Sequence, residues 1–356
     1  MVRVDPVYPL PYESKATVKT EVAVKTRFLR IFAWVGVGIT AWTGLSLAAE
    51  RKPSLLAYIS DSANASPAYW VAKERGLFKK HGLDIELIYI SGSTRGVQSL
   101  IAGDVAFVGA VGTSALYGKL AGGDIAIVNS LTNTLPYYII GKPEIKSVED
   151  LRGRSAAIHI PGTAADFALR LALRQQRLSL SDIKAVTVGA GSARVTAVTS
   201  GQLEWTVGQE AERLMGEKGG LKVILDMAKL KIPFQLTCTV TSRKLIRENP
   251  DMVQRLVRAM AETVHYYKNH KEEVIKVLQK YTRGQDRTVL EKSYAAYRDL
   301  LVDDTYPTVE GLRNILDIQA EIEPKAAKAK PEDILDLRFV DDLKKSGFLA
   351  QLGVKS

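Results

Sequence analysis

Residues 55–76 read LLAYISDSANASPAYWVAKERG, and this stretch sets the fold class. Leu55 to Ile59 is a short apolar run suited to a buried strand. A small-polar loop follows, Ser60-Asp61-Ser62-Ala63-Asn64-Ala65-Ser66. Pro67 then stands where a first helical residue can be proline, because that N–H has no intrahelical partner. The helix is predicted to run to Arg75, and Gly76 stops it. Strand, small-polar turn and helix recur along the chain. Ile85–Ile90 leads through Ser91-Gly92-Ser93-Thr94 into a helix with Val97, Leu100 and Ile101 on one face. Val105–Val108 leads through a turn at Gly109–Ser114 into another helix. Ala156–Ile160 leads through Pro161-Gly162-Thr163 into a helix ending at Gln175, and Ala185–Val188 leads through Gly189-Ala190-Gly191-Ser192 into a further one. Strands alternating with helices of this length predict α/β layers with mainly parallel sheets.

Two of these units match closely. Gly92-Ser93-Thr94-Arg95 opens a helix ending at Gly103, then a strand at Val105–Val108 and Gly109. Gly191-Ser192-Ala193-Arg194 opens a helix ending at Gly201, then a strand at Leu203–Val207 and Gly208. Shared turn chemistry accounts for such a match, and so do two similar lobes facing each other. From Asn249 the pattern turns helical: Pro250, Val253, Leu256, Val257, Met260 and Val264 fit one long amphipathic helix. Further helices are expected at Lys271–Lys280, Arg287–Leu301 and Val309–Glu321. With no low-complexity linker, two lobes would be joined by crossing strands, for which Tyr137–Ile140 and Phe234–Thr241 are the candidates.

The composition is that of an ordinary globular chain of 356 residues, 46% hydrophobic and 25% charged. Lys and Arg outnumber Asp and Glu by 49 to 39, but in no block of the kind that marks a nucleic-acid arm. One cysteine, Cys238, excludes an intramolecular disulfide and a Cys-based zinc cluster. Ile31–Leu47 is apolar and uncharged, follows Lys19, Lys25, Arg27 and Arg30, and precedes Ala48-Ala49. Basic, apolar, small is the secretory pattern, so residues 1–49 are read as a signal peptide region, cleaved or retained as an anchor. Either way the body lies outside the cytoplasmic membrane, in the periplasm. Without residues 1–49 the chain carries 43 basic and 36 acidic residues, a net +7, which favours acidic small molecules.

Each small-polar turn opens a helix, and a first helical turn has unpaired N–H groups and partial positive charge. Several such ends at strand C-terminal edges form a ready anion site; the plainer reading of any one is N-capping. Arg95 and Arg194 oppose the helix dipole from the first turn. Each faces solvent or a carboxylate, or else pairs with an anionic ligand. Arg194 is preferred for the ligand role. Catalytic patterns are mostly missing: no P-loop, no Gly-x-Ser-x-Gly, and Arg194 where a dinucleotide fingerprint needs its third glycine. His159, at the end of an apolar strand, reads first as a hydrogen-bonded structural histidine and second as a base. His81, His265 and His270 read as solvated, and Cys238 as a small core residue. Trp70, Tyr137 and Tyr138 read as core residues that could instead stack on a flat ligand.

The chain resembles the solute-binding proteins of ABC importers for nitrate, sulfonates and taurine, which share a domain with thiamine-pyrimidine synthesis proteins (the NMT1/THI5-like family). The resemblance rests on Ala72-Lys73-Glu74-Arg75-Gly76-Leu77-Phe78 with Gly82-Leu83-Asp84-Ile85-Glu86, on Leu100-Ile101-Ala102-Gly103-Asp104-Val105-Ala106-Phe107, and on Ser147-Val148-Glu149-Asp150-Leu151-Arg152-Gly153. Thr241-Ser242-Arg243-Lys244-Leu245 with Asn249-Pro250 also fits. It implies a two-lobe periplasmic-binding-protein type II fold closing over a small ligand. Residues 54–136 and 237–356 would form lobe 1 with the C-terminal helices, and 141–233 lobe 2, with the hinge near 137–140 and 234–241. Ligand contacts implied by position are Asn64, Ser93, Gly112, Thr113 and Ser114 in lobe 1. In lobe 2 they are Gly162, Thr163, Ala164, Arg194, Gln209 and Glu210. Sulfonate-binding relatives often have Trp-Asp-Pro where this chain has Gln209-Glu210-Ala211, which counts against a simple alkanesulfonate or taurine. Glu210 would read a ligand amine or hydroxyl, or be a hinge salt-bridge partner.

The expected function is non-catalytic capture of a small organic anion (a sulfonate, carboxylate or nitrate-like ion) for an ABC permease and its ATPase. No cofactor, no metal, no nucleic acid and a monomeric state are expected. The rival class is an enzyme of thiamine-pyrimidine or related biosynthesis on the same fold. It would need a buried acid, base or iron ligand, and the chain offers only His159. A third reading, a sensor's ligand-binding domain tethered by an uncleaved N-terminus, lacks a second span and a signalling module.

Overall fold

The computed structural model describes residues 53–60, 67–189, 191–282 and 286–354. The expected signal segment, 1–49, and the expected ligand residue Asn64 lie outside these. Ten strands form two five-stranded sheets. The first contains β1 (Ser54–Tyr58), β2 (Ile85–Tyr89), β3 (Phe107–Val111) and β4 (Ile125–Thr134). The second contains β5 (Tyr138–Gly141), β6 (Ser155–Ile158), β7 (Lys184–Thr187), β8 (Trp205–Gly208) and β9 (Lys222–Asp226). The last strand, β10 (Pro233–Ser242), returns to the first sheet.

The helices are α1 (Pro67–Glu74), α2 (Leu77–Lys80), α3 (Ser93–Ala102), α4 (Gly112–Leu120), α5 (Ala164–Gln175), α6 (Gly191–Thr199) and α7 (Glu210–Lys218). The C-terminal series is α8 (Arg243–Glu248), α9 (Pro250–Asn269), α10 (Lys271–Tyr281), α11 (Arg287–Leu300), α12 (Val309–Ile322), α13 (Arg338–Lys345) and α14 (Phe348–Gln351).

The sheets share one topology. Their orders are β2-β1-β3-β10-β4 and β7-β6-β8-β5-β9. In each, three strands are parallel, and the fourth runs antiparallel to both its neighbours. The α/β two-sheet architecture is the expected one, and the sheets are mixed. In each, the inverted strand is the first after a crossing: β5 follows the outward passage and β10 the return. The two similar segments at 92–109 and 191–208 hold equivalent places, as α3-β3 of one sheet and α6-β8 of the other.

The chain passes from the first sheet to the second over residues 135–137 and back over 227–232. The passages run side by side: Met227 N–H donates to the Tyr137 carbonyl at 2.9 Å, and Pro233 registers with Thr134. The segments 138–141 and 233–242 flanking these passages are the strands β5 and β10.

One sequence expectation needs correction here. The sequence places a turn from Gly109, but β3 continues through Gly109 and Ala110 to Val111. A glycine is needed inside this strand because the Tyr69 ring packs against it; a Cβ would stand 2.3 Å from that ring. Two strands were not foreseen. β4 is interrupted by Asn129, Ser130 and Thr132, all buried, which hides its strand character. Ser130 and Thr132 bond to β10 and Asn133, whereas the Asn129 amide is buried without a side-chain partner among the described residues. β9 shows only a weak apolar signal.

Packing follows the sequence periodicity elsewhere. Asn249 caps α9 by accepting the Met252 N–H at 3.1 Å, with Pro250 at its first position. Val253, Leu256, Val257, Met260 and Val264 of that helix are all buried, meeting Trp70, Val71 and Phe78 in one core. Burial of such side chains contributes about 1.5–3 kcal/mol each relative to exposure. Trp70 is fully buried and stacks on Tyr281 with ring centroids 4.9 Å apart. His81, read as solvated, is instead half-buried: Nε2 lies 2.8 Å from Glu262 Oε2.

Candidate functional site

The helix openings converge at one place. Ser91–Arg95, Val111, Thr113 and Ser114 from the first sheet's side and Gly162, Thr163 and Ala164 from the second's line a cleft of about 350 Å3. Six of the expected contact residues are therefore together: Ser93, Thr113, Ser114, Gly162, Thr163 and Ala164. Gly112 is at the same turn, and its lack of a side chain is a packing requirement. A Cβ there would stand 2.4 Å from the Gln235 carbonyl oxygen, so glycine lets α4 start hard against β10.

The two walls differ in chemistry. On the first wall, α3 is preceded by Gly92 and α4 by Val111, and neither residue supplies a side-chain cap. The plain N-capping reading fails for both helices, whose first turns border the cleft with no side-chain cap among the described residues. Ser93 acts within the wall: its Oγ accepts the Val111 N–H at 2.9 Å and ties the two turns together. Thr94 Oγ1 and Ser114 Oγ lie 3.4 Å apart. Thr113 is 3% exposed, and its hydroxyl has no hydrogen-bond partner among the described residues. On the second wall the helix opening carries a side-chain cap. Thr163 Oγ1 accepts the Asp166 N–H and donates to the Ile160 carbonyl at 2.9 Å. Asp166, fully buried, accepts the Gly162 N–H at 2.9 Å and the Arg170 Nε–H at 3.1 Å. The walls approach closely at one edge, where a Cβ on Gly162 would lie 2.6 Å from the Tyr117 hydroxyl.

The chain matches the family described as NMT1/THI5 like over residues 63–274, more than half its length. It belongs to that family. A protein of Brucella abortus (strain 2308), provisionally named a binding protein, is 26% identical over 272 residues, 71% of this chain and 79% of its own length. Three solved structures share the fold. The periplasmic aliphatic sulphonate binding protein SsuA of Escherichia coli superposes with TM-score 0.66 and 18% identity, covering 78% of this chain and 94% of SsuA. The periplasmic nitrate-binding protein NrtA of Synechocystis PCC 6803 gives 0.63 and 15%, covering 84% and 89%. A Candida albicans gene product described as having the generic periplasmic binding protein fold gives 0.60 and 13%, covering 80% and 96%.

The remaining expected residues of this NMT1/THI5-like chain are elsewhere. Arg194, the preferred ligand arginine, is 3% exposed and does not line the cleft. Its guanidinium donates to the Gly189 carbonyl and, at 3.0 Å, to the Val207 carbonyl, so it ties the turn before α6 to the end of β8. Burial lowers its pKa, opposed by the nearby Glu212 charge and Tyr137. Gln209 and Glu210 line a second cavity of about 200 Å3, with Pro136, Tyr138, Ala228 and the α11 residues Ala296, Tyr297, Asp299 and Leu300. Its walls are largely apolar. Glu210 is engaged by Arg213 through two bonds, 2.6 and 2.8 Å. That pairing, outweighing burial, holds its carboxyl below the usual range. Its ion-pair partner is thus a neighbour on its own helix, and the Tyr138 hydroxyl of the expected hinge also interacts with its carboxylate. Burial and the Glu210 and Asp226 charges push the Tyr138 hydroxyl up to about 12.

His159 directly follows β6, and its Nδ1 is buried without a partner. Burial, then the Arg194 charge, depress its pKa. Among the described residues no group of three or more His, Cys, Asp or Glu is placed to hold a metal ion. The residue that sequence reasoning undervalued is Arg95. It lines the cleft, is exposed, and makes no hydrogen bond or ion pair among the described residues. Its signal was present in the sequence, a cation placed against the helix dipole, but Arg194 carried the same one.

Proposed function

We propose that this protein is a solute-binding receptor of an ABC importer, working in the periplasm, that captures a small organic anion between its two α/β halves and hands it to a membrane permease. One observation carries the reading: the cleft is lined from both sheets, and its first wall offers two helix N-termini without a side-chain cap and a Thr113 hydroxyl without a partner among the described residues. Amides of this kind, with the helix dipole behind them, bind sulfonate, carboxylate or nitrate oxygens without requiring any group to change protonation state. The binding-protein names of the relatives in both sequence and structure comparisons support the same class.

The mechanism is a shift of population toward a closed form. A ligand touching Thr113 on one wall and the 162–164 turn on the other binds the closed arrangement better than an open one, and the difference in affinity drives closure. The paired passages at 135–137 and 227–232 are the segments about which the halves would turn. No step requires a base or a nucleophile.

Thermal-shift and calorimetric titration of the purified protein against nitrate, alkanesulfonates and aliphatic and aromatic carboxylates tests this. Saturable stabilisation by at least one anion, absent in Thr113→Val, is the expected result. Lack of binding across all these classes would remove the basis for the receptor reading.

A further inference from the structure

The two walls of the cleft carry opposite electrostatic balances. On the second wall a carboxylate and a hydroxyl already engage the opening of α5: Asp166 takes the Gly162 N–H of the preceding turn, and Thr163 takes the N–H of Asp166. A full carboxylate therefore sits at that helix N-terminus, partly offset by Arg170 Nε at 3.1 Å. A second anion brought to this wall would feel the Asp166 carboxylate behind the α5 opening, not amides alone.

The first wall is the reverse. Its helix openings have no side-chain cap, Thr113 is nine-tenths buried with a free hydroxyl, and Arg95 stands in the first turn of α3. A cation at that position works against the helix dipole by a few tenths of a kcal/mol in the empty protein. Among the described residues nothing compensates it: Arg95 has neither a carboxylate nor a carbonyl partner. The equivalent arginine of the other half, Arg194, is by contrast tied to two carbonyls and absent from the cleft.

We infer that Arg95 is the residue that reads the ligand's negative charge, and that the charged group docks on the first wall, with the second wall closing over its uncharged part. This rests on the receptor reading above and sharpens it to a ligand class: one anionic group on a body whose other face is neutral, in preference to a dianion or a zwitterion with its charges at both walls.

The test is titration calorimetry of wild type, Arg95→Gln, Arg95→Lys and Thr113→Val with benzoate, ethanesulfonate and nitrate, and with uncharged benzamide as the matched control. Arg95 is exposed and has no partner among the described residues, so Arg95→Gln should keep the wild-type melting temperature. For the anion that wild type binds, Arg95→Gln should weaken affinity by roughly ten- to a hundredfold, and Arg95→Lys should recover part of it. The wild-type affinity should fall with added salt more steeply than that of Arg95→Gln. If Arg95→Gln binds as tightly as wild type while Thr113→Val does not, the inference about Arg95 is wrong and the receptor reading stands. If wild type binds none of the anions, or binds benzamide as well as benzoate, the anion reading beneath both is overturned.

Discussion

Arg95 and Arg194 stand at the same point of equivalent helices, each closing a Gly-Ser-Xaa-Arg opening, yet one is exposed at the cleft and the other is 3% exposed inside its half. The sheets that carry them have the same strand order, so the difference is not one of topology. It comes from what meets the first helical turn. At α6 the Gly189 and Val207 carbonyls receive the guanidinium, and Glu212 of α7 lies against Gly191, where a Cβ would be 2.0 Å from its carboxylate oxygen. At α3 no such acceptors are present among the described residues. One half uses its arginine to hold a turn, and the other leaves it facing the cleft.

Replacing Arg194 by Met should therefore cost stability. The substitution leaves the Gly189 and Val207 carbonyls without their donors, a loss of about 2–4 kcal/mol by the usual cost of unpaired buried polar groups. Urea denaturation measures it as a lower midpoint with an unchanged slope. An Arg194→Met protein as stable as wild type would mean the guanidinium has no structural role.

Gly112→Ala separates backbone placement from side-chain chemistry. The added methyl would press on a backbone carbonyl, the Gln235 oxygen 2.4 Å away, which cannot swing aside as a side chain can. α4 should shift outward at a cost of about 1–3 kcal/mol, and anion affinity should fall with it. Thermal melting and anion titration on the same sample check both effects.

These residues also mark how far the sequence could be read. The strand-to-helix turns at Ser93, Thr113 and Thr163 were legible because small polar residues, proline and glycine have few other uses between an apolar run and an amphipathic one. Within each sheet the parallel strands end at one edge, which gathers their turns there. The choice between Arg95 and Arg194 was not legible, because both sit in the same local pattern and the carbonyls that bury one of them come from residues five and thirteen positions away. β4 was hidden for a similar reason: Asn129, Ser130 and Thr132 look like loop residues until β10 is placed beside them. Glu210 was legible as an acid near a ligand cavity, but its pairing with Arg213 needed the helix.

His159 gives the protein an acid-sensitive point. Burial and the Arg194 charge hold the folded imidazole's pKa below its ordinary 6.5, so the unfolded chain binds the proton more readily. Stability should be full above about pH 6.5 and fall as pH drops from there toward the folded value. His159→Gln should flatten this part of the profile, seen as a smaller drop in melting temperature between pH 7 and pH 5.5. A profile identical to wild type would show that His159 titrates alike in both states.

The Glu210–Arg213 pair should act at lower pH. Arg213 holds the carboxyl below its ordinary 4.5, so the pair contributes above that value and is lost as pH falls below it. Arg213→Met should melt lower than wild type at pH 7, with the gap narrowing once the buffer passes below about pH 4.5. A gap independent of pH would assign the effect of Arg213 to packing, including its stacking 5.4 Å from the Tyr138 ring centre.

The most direct measurement is a crystal structure of the protein with the tightest-binding anion from the titrations. Its oxygens should lie about 2.7–3.1 Å from the N–H groups opening α4 and from the Thr113 hydroxyl, with Arg95 turned toward them and residues 162–164 opposite. Density for the anion anywhere else, with these donors left facing solvent, would contradict the account.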